Sequence, residues 1–444
     1  MNIKDLSNVL RENGIVGAGG AGFPTYAKLN EKADTIIMNC AECEPLLKLH
    51  RQLLRDHAEE ILLAFATIAE AVGAKTAIIG IKEEYASTIE AVEAFLPKYN
   101  NAPFDMKIHK LPGAYPMGDE VVLIYEATGR VVRPGGLPIE CGVAVFNVET
   151  LYNVYNALKS SVPVITKLVT VVGEVENPCT VRVPIGTSIE EVVKLAGKLT
   201  TDDPVYLLGG PMMGNFGSNK SPVTKTTNAI IVLPRSHSLV YKKNNRFKVA
   251  VARAASSCCQ CQTCTDLCPR HNLGHPIAPH LFMRAAANRD TSNIDPFINT
   301  MFCSSCGVCE TFSCPQGLSP RSMMAVYKAE LRKSGVKPPV VEATPVSEAR
   351  DYRRVPEGRL QSRLGLDKYD VAAPINETKQ DISRVTIKLS QHIGAPAKAV
   401  VSTGQAVTEG QVIAEAADGL SVNIHASISG RVSEISDSYI IIER

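Results

Sequence analysis

The sequence predicts a multidomain α/β protein: an alternating strand–helix N-terminal region, a β-rich module, a cysteine-rich helical segment and an all-β C-terminal unit. Three observations carry this. Strand-like and helix-like stretches alternate through the first third of the chain. Nine of the thirteen cysteines fall between Cys258 and Cys314. Apolar and polar residues alternate along the C-terminal stretch. The chain has 444 residues, room for about two to four domains at roughly 100–200 residues each.

The first region spans residues 1–160. Residues 34–38 (DTIIM) and 75–81 (KTAIIGI) read as strands, and 57–72 and 83–96 as helices. Strand, helix, strand, helix implies a largely parallel sheet. Glycines gather at Gly14, Gly17, Gly19, Gly20 and Gly22. In residues 161–235, segments 168–175 (LVTVVGEV) and 180–183 form a hairpin around Asn177-Pro178. A short helix over 188–196 is capped by Thr187 or Ser188, with Glu190 and Glu191 in its first turn. With strands at 205–208 and 229–233, this is a β-grasp-like module. Residues 245–335 hold the cysteine motifs. Residues 336–380 open with VKPPVVEATPVSEAR and read as a linker or wrapping segment. Residues 381–444 carry alternating Val385, Ile387 and Leu389, then Val400, Val412 and Ile413. Gly394, Gly404, Gly410 and Gly430 punctuate them, as in a small β sandwich.

Composition excludes several classes. Hydrophobic residues make 45% and charged residues 21%, the balance of a globular protein. The net charge of +2 gives no electrostatic case for nucleic acid or an anionic membrane. Aromatic content is 5% with no Trp, which argues against a base-stacking platform. No stretch approaches the ~20 apolar residues of a membrane helix, and residues 61–72 are interrupted by Glu70. Residues 1–11 lack a secretory pattern and read as a packing helix rather than a targeting one. The expected location is cytoplasmic, where disulfides are disfavoured, so the clustered cysteines point to metal ligation.

Their spacing is specific. Cys258, Cys261, Cys264 and Cys268-Pro269 follow the bacterial ferredoxin pattern, in which the fourth cysteine ligates the other cluster of a pair. Cys303, Cys306, Cys309 and Cys314-Pro315 repeat it with one extra residue. Two [4Fe–4S] clusters are expected, one on Cys258, Cys261, Cys264 and Cys314, the other on Cys303, Cys306, Cys309 and Cys268. Zinc sites normally use one pair of CxxC units each, a poorer match. Cys259 is expected to be a buried thiol or one set just behind the ligands, and Cys141 and Cys179 plain thiols. Cys40 and Cys43 form a CxxC, which could be a redox pair, but plain thiols are expected.

Residues 15–28 (IVGAGGAGFPTYAK) can bring backbone N–H groups close to a phosphate, with Lys28 adding a point charge. This is neither a Walker A nor a dinucleotide fingerprint. Three further segments accompany it: 38–45 (MNCAECEP), 111–123 (LPGAYPMGDEVVL) and 143–151 (VAVFNVETL). Together they resemble the flavin- and NADH-binding subunit of respiratory complex I and the C subunits of Rnf-type electron-transport complexes. The resemblance implies an FMN-binding α/β domain. Gly17, Gly19, Gly20 and Lys28 would hold the FMN phosphate and ribityl chain, and Asn39, Glu42, Glu120 and Asn147 would line the flavin. Phe23 and Glu44 match positions that contact NADH. Ala41 stands where complex I has a carboxylate, and Cys43 where it has a serine. The ICGEE segment becomes Pro116-Met117-Gly118-Asp119-Glu120. On the residues alone, Phe23 also fits a core and Glu44 a helix cap ahead of a helical stretch from Leu46. His50, His57, His271, His275 and His280 read as surface or satisfied core histidines.

Residues 164–215 resemble the soluble-ligand-binding β-grasp (SLBB) domain of the same families. Residues 391–432 resemble a barrel-sandwich module, without the lysine that a swinging arm needs. In Rnf C subunits that module comes first; here it comes last, an order similar to PduS-type cobalamin reductases. That resemblance implies NADH-driven, FMN- and cluster-mediated reduction of cob(III)/cob(II)alamin in support of a B12-dependent diol dehydratase pathway. It also implies cobalamin or an adenosyltransferase as acceptor, and a place in or beside the shell of a propanediol-utilisation microcompartment. The alternative is an Rnf-like subunit passing electrons between NADH and ferredoxin or a partner complex. No side chain is assigned a catalytic role, since the cofactors carry the chemistry.

Overall fold

A computed structural model describes residues 1–244 and 246–444. Helix α1 (Ile3–Glu12) precedes the glycine-rich loop and buries Leu6 and Leu10. Strands β1 (Thr35–Cys40), β2 (Thr76–Lys82), β3 (Asp105–Leu111) and β5 (Val143–Asn147) then form a sheet of order β3-β2-β1-β5, all parallel. Strands β1, β2 and β5 are nearly continuous apolar runs because both sheet faces are covered there, whereas the edge strand β3 is half-exposed. Ile36, Met38, Ile79 and Phe146 face helices α2 (Leu49–Asp56), α3 (Ala58–Val72), α4 (Ala86–Glu93) and α6 (Val148–Ser160). Ile37, Ile78 and Val145 face α5 (Glu120–Thr128). Strand β4 is the short pair Ala114–Tyr115.

The helix expected over 83–96 is shorter. Glu83 N–H donates to the Leu111 carbonyl, holding the chain against β3 before α4 begins. Pro97 then has no N–H to donate to the Glu93 carbonyl, so α4 stops there and a 3-10 turn follows at Leu96–Tyr99.

The second module pairs β6 (Thr166–Gly173) antiparallel with β7 (Cys179–Pro184) and parallel with β10 (Ala229–Pro234). Strands β8 (Pro204–Leu208) and β9 (Asn215–Gly217) extend its sheet. Ser188 caps α7 (Ile189–Lys194): its Oγ accepts from Glu191 N–H while Glu191 Oε2 accepts from Ser188 N–H. Beyond it, helices Phe247–Ser257, Pro279–Asn288 and Pro320–Lys333 pack Phe282, Met283, Met323 and Met324 around the cysteine loops. The C-terminal unit is two small facing sheets sharing Ile387, Ile413, Ile428 and Ile440.

Of the two readings of residues 336–380, linker or wrapping segment, the structure has the wrapping one. Gly274 (φ +81°) lies so close to Thr344 that a Cβ would collide with its carbonyl. Val355–Pro356 pairs antiparallel with β4, helix Glu357–Leu364 buries Leu360 and Leu364, and Ile375–Asn376 joins β7 in parallel. The segment is a strap across three domains. One anchor is Glu357, which pairs with Lys82 at the end of β2; the Lys82 side chain is 0% exposed.

Removing one partner of a buried ion pair leaves an uncompensated charge. Glu357→Ala is therefore expected to lower unfolding free energy by about 3 kcal/mol, read from urea denaturation. Lys82→Met combined with Glu357→Leu should recover most of that loss. Wild-type stability in the single variant would show that the strap does not depend on this pair.

Candidate functional site

In an open parallel sheet, ligands bind beyond the carboxyl ends of the strands, where strand order reverses. Here that point lies between β1 and β5, whose Asn39 and Asn147 are register partners. Asn147 caps α6, its Oδ1 accepting from Glu149 and Thr150 N–H. The glycine loop crosses this helix start. Ala18 N–H donates to Thr150 Oγ1 at 3.0 Å, and Lys167 Nζ of β6 donates to the Ala18 carbonyl at 3.2 Å. A Cβ at Gly19 would collide with the Asn147 amide, so glycine is required there. Gly19, Gly20 and Ala21 are exposed.

Around this loop stand the other expected residues. Lys28 Nζ lies 3.2 Å from Glu120 Oε1 and donates to the Val145 carbonyl at 2.8 Å. It also sits 6.0 Å from the centre of the Phe23 ring. Asn39 Nδ2 donates to Gly118 O, and its Oδ1 accepts from Ala41 N–H. Glu42 is buried. Its Oε2 accepts from His50 N–H at 3.1 Å, while its Oε1 has no hydrogen-bond partner. Its carbonyl accepts from Lys82 Nζ at 2.6 Å and Tyr85 Oη at 3.1 Å, fixing the loop after β1. Burial raises the Glu42 carboxyl to about 7 and lowers the neighbouring His50 imidazole to about 4.

Glu44 behaves differently. The following helix starts only at Leu49, so Glu44 is not its cap. Its oxygens accept from Met212 and Met213 N–H, both at 2.8 Å, and Gly210 is required beneath it. Burial pushes this carboxyl up as well. The SLBB loop 209–214 thus docks on the residue that the resemblance gave to NADH. His50 carries no site role in the sequence reading, yet it lies under Gly19, with Asn147 Nδ2 3.3 Å from its Nε2 and Glu42 Oε1 3.6 Å from its Nδ1. Only a histidine six residues after Glu44 could have signalled it.

The exposed glycine backbone, the start of α6 and the unpartnered Glu42 Oε1 fit a phosphate-bearing flavin. The cysteines fit clusters. Cys258, Cys261, Cys264 and Cys314 line one cavity. Cys268, Cys303, Cys306 and Cys309 line another. Each cavity thus takes three cysteines from one motif and the last from the other. Among the described residues, no three cysteine, histidine or carboxylate side chains converge on a single-ion site; the thiols ring a volume instead. Several sulfurs also accept hydrogen bonds, from Gln260 Nε2 to Cys258 Sγ, from Ser305 N–H to Cys303 and from Leu318 N–H to Cys314. Such bonds tune cluster potentials.

The two cavities lie in series. The Cys306 cavity abuts the first domain: Tyr115 Oη donates to Cys306 O at 2.7 Å, and Arg270 bridges both oxygens of Asp119 at 2.8 Å. The Cys258 cavity is walled only by residues 258–264, 280–283 and 314–320. Cys259, expected to be buried or set just behind the ligands, is exposed there because its place in the loop falls outside the ligand register. Cys40 and Cys43 have pKa values raised by burial, which makes them unreactive, and Cys43 Sγ accepts from Gly118 N–H.

Known proteins match this architecture. The Nuo51 FMN-binding domain model matches residues 10–156 and the SLBB model 168–216. The 4Fe-4S dicluster model matches 257–319, and the RnfC barrel sandwich hybrid model 368–443. Cobalamin reductase PduS of Salmonella typhimurium is 41% identical over 448 residues, covering 100% of this chain and 97% of that protein. The chain belongs to the PduS cobalamin reductase family. The Citrobacter freundii PduS is also 41% identical, over 98% of this chain and 95% of that protein. The C subunit of the ion-translocating oxidoreductase complex of Rhodobacter capsulatus is 36% identical over 58% of this chain and 48% of its own length. The crystal structure of NAD+-reducing [NiFe]-hydrogenase in the H2-reduced state superposes with a TM-score of 0.51 at 20% identity. That match covers 76% of this chain and 63% of the hydrogenase chain, and it supports the fold. The family thus brings an FMN domain and two [4Fe–4S] clusters, as the sequence implied. Among the described residues, no helix is long and apolar enough to cross a membrane.

Glu42 gives a pH-dependent prediction. Its native carboxyl titrates near 7 rather than at the usual 4.5, so the native state binds its proton more tightly than the unfolded chain. That contribution is complete below pH 4.5 and is lost as pH rises through 7. Glu42→Gln apoprotein should therefore match wild type in acid and exceed it above neutrality by at most roughly 3 kcal/mol. Urea denaturation at both ends of that window checks this; a pH-independent difference would contradict it.

Proposed function

We propose that this protein is an NADH-dependent flavin and iron–sulfur reductase whose acceptor is cobalamin. The observation that carries the reading is the arrangement of three sites: a glycine-loop site, a four-cysteine cavity against the same domain, and a second, more exposed four-cysteine cavity. The full-length likeness to proteins named cobalamin reductase supports the acceptor. The likeness of the first domain to NADH-binding flavin subunits supports the donor. FMN supplies the exchange between two-electron and one-electron chemistry, and the clusters supply single-electron relay.

The chain's own residues position these groups. Gly17, Gly19, Gly20 and Lys28 hold the phosphate end, and Asn39, Glu42, Glu120 and Asn147 line the flavin. Phe23 stands at the mouth of the site on the nucleotide side. Glu44 reaches the nucleotide only by releasing loop 209–214. Cys303, Cys306, Cys309 and Cys268 hold the entry cluster, and Cys258, Cys261, Cys264 and Cys314 the exit cluster. By the same resemblance, an adenosyltransferase would use the reduced corrin, and the protein would work in propanediol utilisation, in or beside a microcompartment shell. An Rnf-like subunit role has weaker support, since that likeness covers 58% of the chain.

Anaerobic reconstitution tests this. The loaded protein should carry one FMN and about eight irons, and reduce cobalamin with NADH faster than it reduces ferredoxin. Absence of flavin, or ferredoxin preferred over cobalamin, would overturn the reading. The crossed ligation makes a sharper prediction. Cys314→Ser and Cys268→Ser should each lose about half the iron. NADH should still reduce the remaining cluster rapidly in Cys314→Ser, by EPR, but only slowly in Cys268→Ser, where the entry cluster is gone. Equal reduction in both would refute the assigned order.

A further inference from the structure

The cavity ringed by Cys258, Cys261, Cys264 and Cys314 opens on a face with distinctive chemistry. Cys259, Cys261 and Gln262 are exposed on one side, and Pro315, Gln316 and Gly317 on the other. Residues 254–265 and 311–320, which frame it, contain no charged side chain. The entry cavity differs, having Arg270 and Arg321 in its wall. Gln260 and Gln262 adopt left-handed backbone geometry, with φ of 55° and 65°, as do Ser305 and Gly307 at the matching places of the other motif, with φ of 62° and 83°. The turns therefore belong to the cysteine loops; what sets this loop apart is that glutamine stands at both positions.

We propose that this uncharged, glutamine-rimmed face binds the corrin of cobalamin directly, over the cluster that these cysteines hold. The inference rests on the reading above and adds the acceptor's binding site. A partner steered by charge would need a charged rim, and this rim has none. Cobalamin is fringed by primary amides. In its Co(II) state the metal, corrin and phosphodiester charges sum to zero. Glutamine side chains offer amide donors and acceptors that pair with such a fringe. Cys261, exposed at this face, lets the ring approach the cluster edge. One electron then passes from the cluster to Co(II), which becomes Co(I). The cluster is oxidised, the axial ligand leaves cobalt as it becomes four-coordinate, and no proton is transferred. NADH, through the flavin and the entry cluster, restores the electron.

The test uses reconstituted holoprotein and cob(II)alamin. Gln262→Glu and Gln316→Glu place a charge on either side of the face, and Gln262→Lys tests the opposite sign. EPR titration should show each variant binding cob(II)alamin about tenfold more weakly, whichever sign is introduced, with the full iron content retained. Wild-type affinity should change little between low and high salt, and reducing the clusters should broaden the bound Co(II) signal through spin coupling. Unchanged affinity in all three variants, no broadening, or reduction only of cobalamin carried by another protein would overturn the proposal. Failure of wild type to reduce cobalamin in any form would instead remove the functional reading beneath it.

Discussion

The buried ammonium of Lys82 holds the structure's working loop in place. It sits at the carboxyl end of β2, donates to the Glu42 carbonyl and meets Glu357 of the strap. A charge there is costly to desolvate, and its partner must be held in register to compensate. A pair of this kind specifies geometry more than it adds net stability. Once it forms, the loop after β1 can adopt one arrangement, and the elements that touch that loop are placed. Tyr85 adds a second donor to the same carbonyl. Gly118 lets the α5 approach lie against Ala41 and Cys43, where a Cβ would meet the Cys43 sulfur at 3.0 Å.

The SLBB module is fastened to both redox regions by two contacts of different kinds. Lys167 pairs with Glu149 at the start of α6 and reaches the Ala18 carbonyl, so β6 clamps the glycine loop from below. At the other end, Met212 lies between Glu44 and the second cysteine loop: its N–H meets Glu44, and its sulfur accepts from Thr311 Oγ1. Lys243 donates to the carbonyls of Met212 and Gly214 and keeps that loop in place. The module therefore works as a spacer that sets how the flavin-type site faces the entry cavity. The C-terminal sandwich closes the remaining side through Ile393 N–H to Gly22 O, and Lys225 of the SLBB module ties the two together by donating to Gly14 O and to Asn423 O.

Much of this was legible from sequence, for reasons that are local. Strands such as TAIIGI announce themselves by an unbroken apolar run. The cysteine ligand groups follow from spacing, and the two cavities divide the thiols as the spacing requires. Glycine-loop contacts with Asn147 agree with the order of the motifs. Residues 336–380 were open between linker and wrapping segment; what escaped was how the strap is anchored, which is long-range. The strap's composition is polar and proline-rich, and its buried apolar residues, Val355, Leu360, Leu364, Leu366, Tyr369 and Ala373, are too irregularly spaced to set a period. Its decisive bond joins Glu357 to a lysine 275 positions earlier, which no window can detect. The role of His50 was invisible for a related reason: its meaning comes from Gly19, Glu42 and Asn147 meeting it from three separate segments. Exposure of Cys259 was missed because a thiol among ligands looks like part of the set until the loop's path is known.

Crossed ligation has a consequence for how the redox segment assembles. Neither cysteine motif can complete a four-thiolate site from its own last residue, so both sites depend on helices Pro279–Asn288 and Pro320–Lys333 bringing Cys268 and Cys314 across. Phe282, at 5.3 Å from Tyr327 and packed edge-on, joins those helices between the cavities. The two sites therefore form as one unit, yet their surroundings differ. Charges beside the entry cavity occur mainly as pairs, Arg270 with Asp119 and Arg321 with Glu310. Lys328 donates to the Cys303 carbonyl at 2.7 Å, and no carboxylate pairs with it among the described residues. A nearby cation favours the reduced, more negative state of a cluster, whereas the exit face supplies only neutral groups and solvent. With clusters in both cavities, this contrast would favour the electron at the position beside the first domain. Fold and chemistry share that logic, since the contacts that bury the entry cavity are also those that join it to the flavin-type domain.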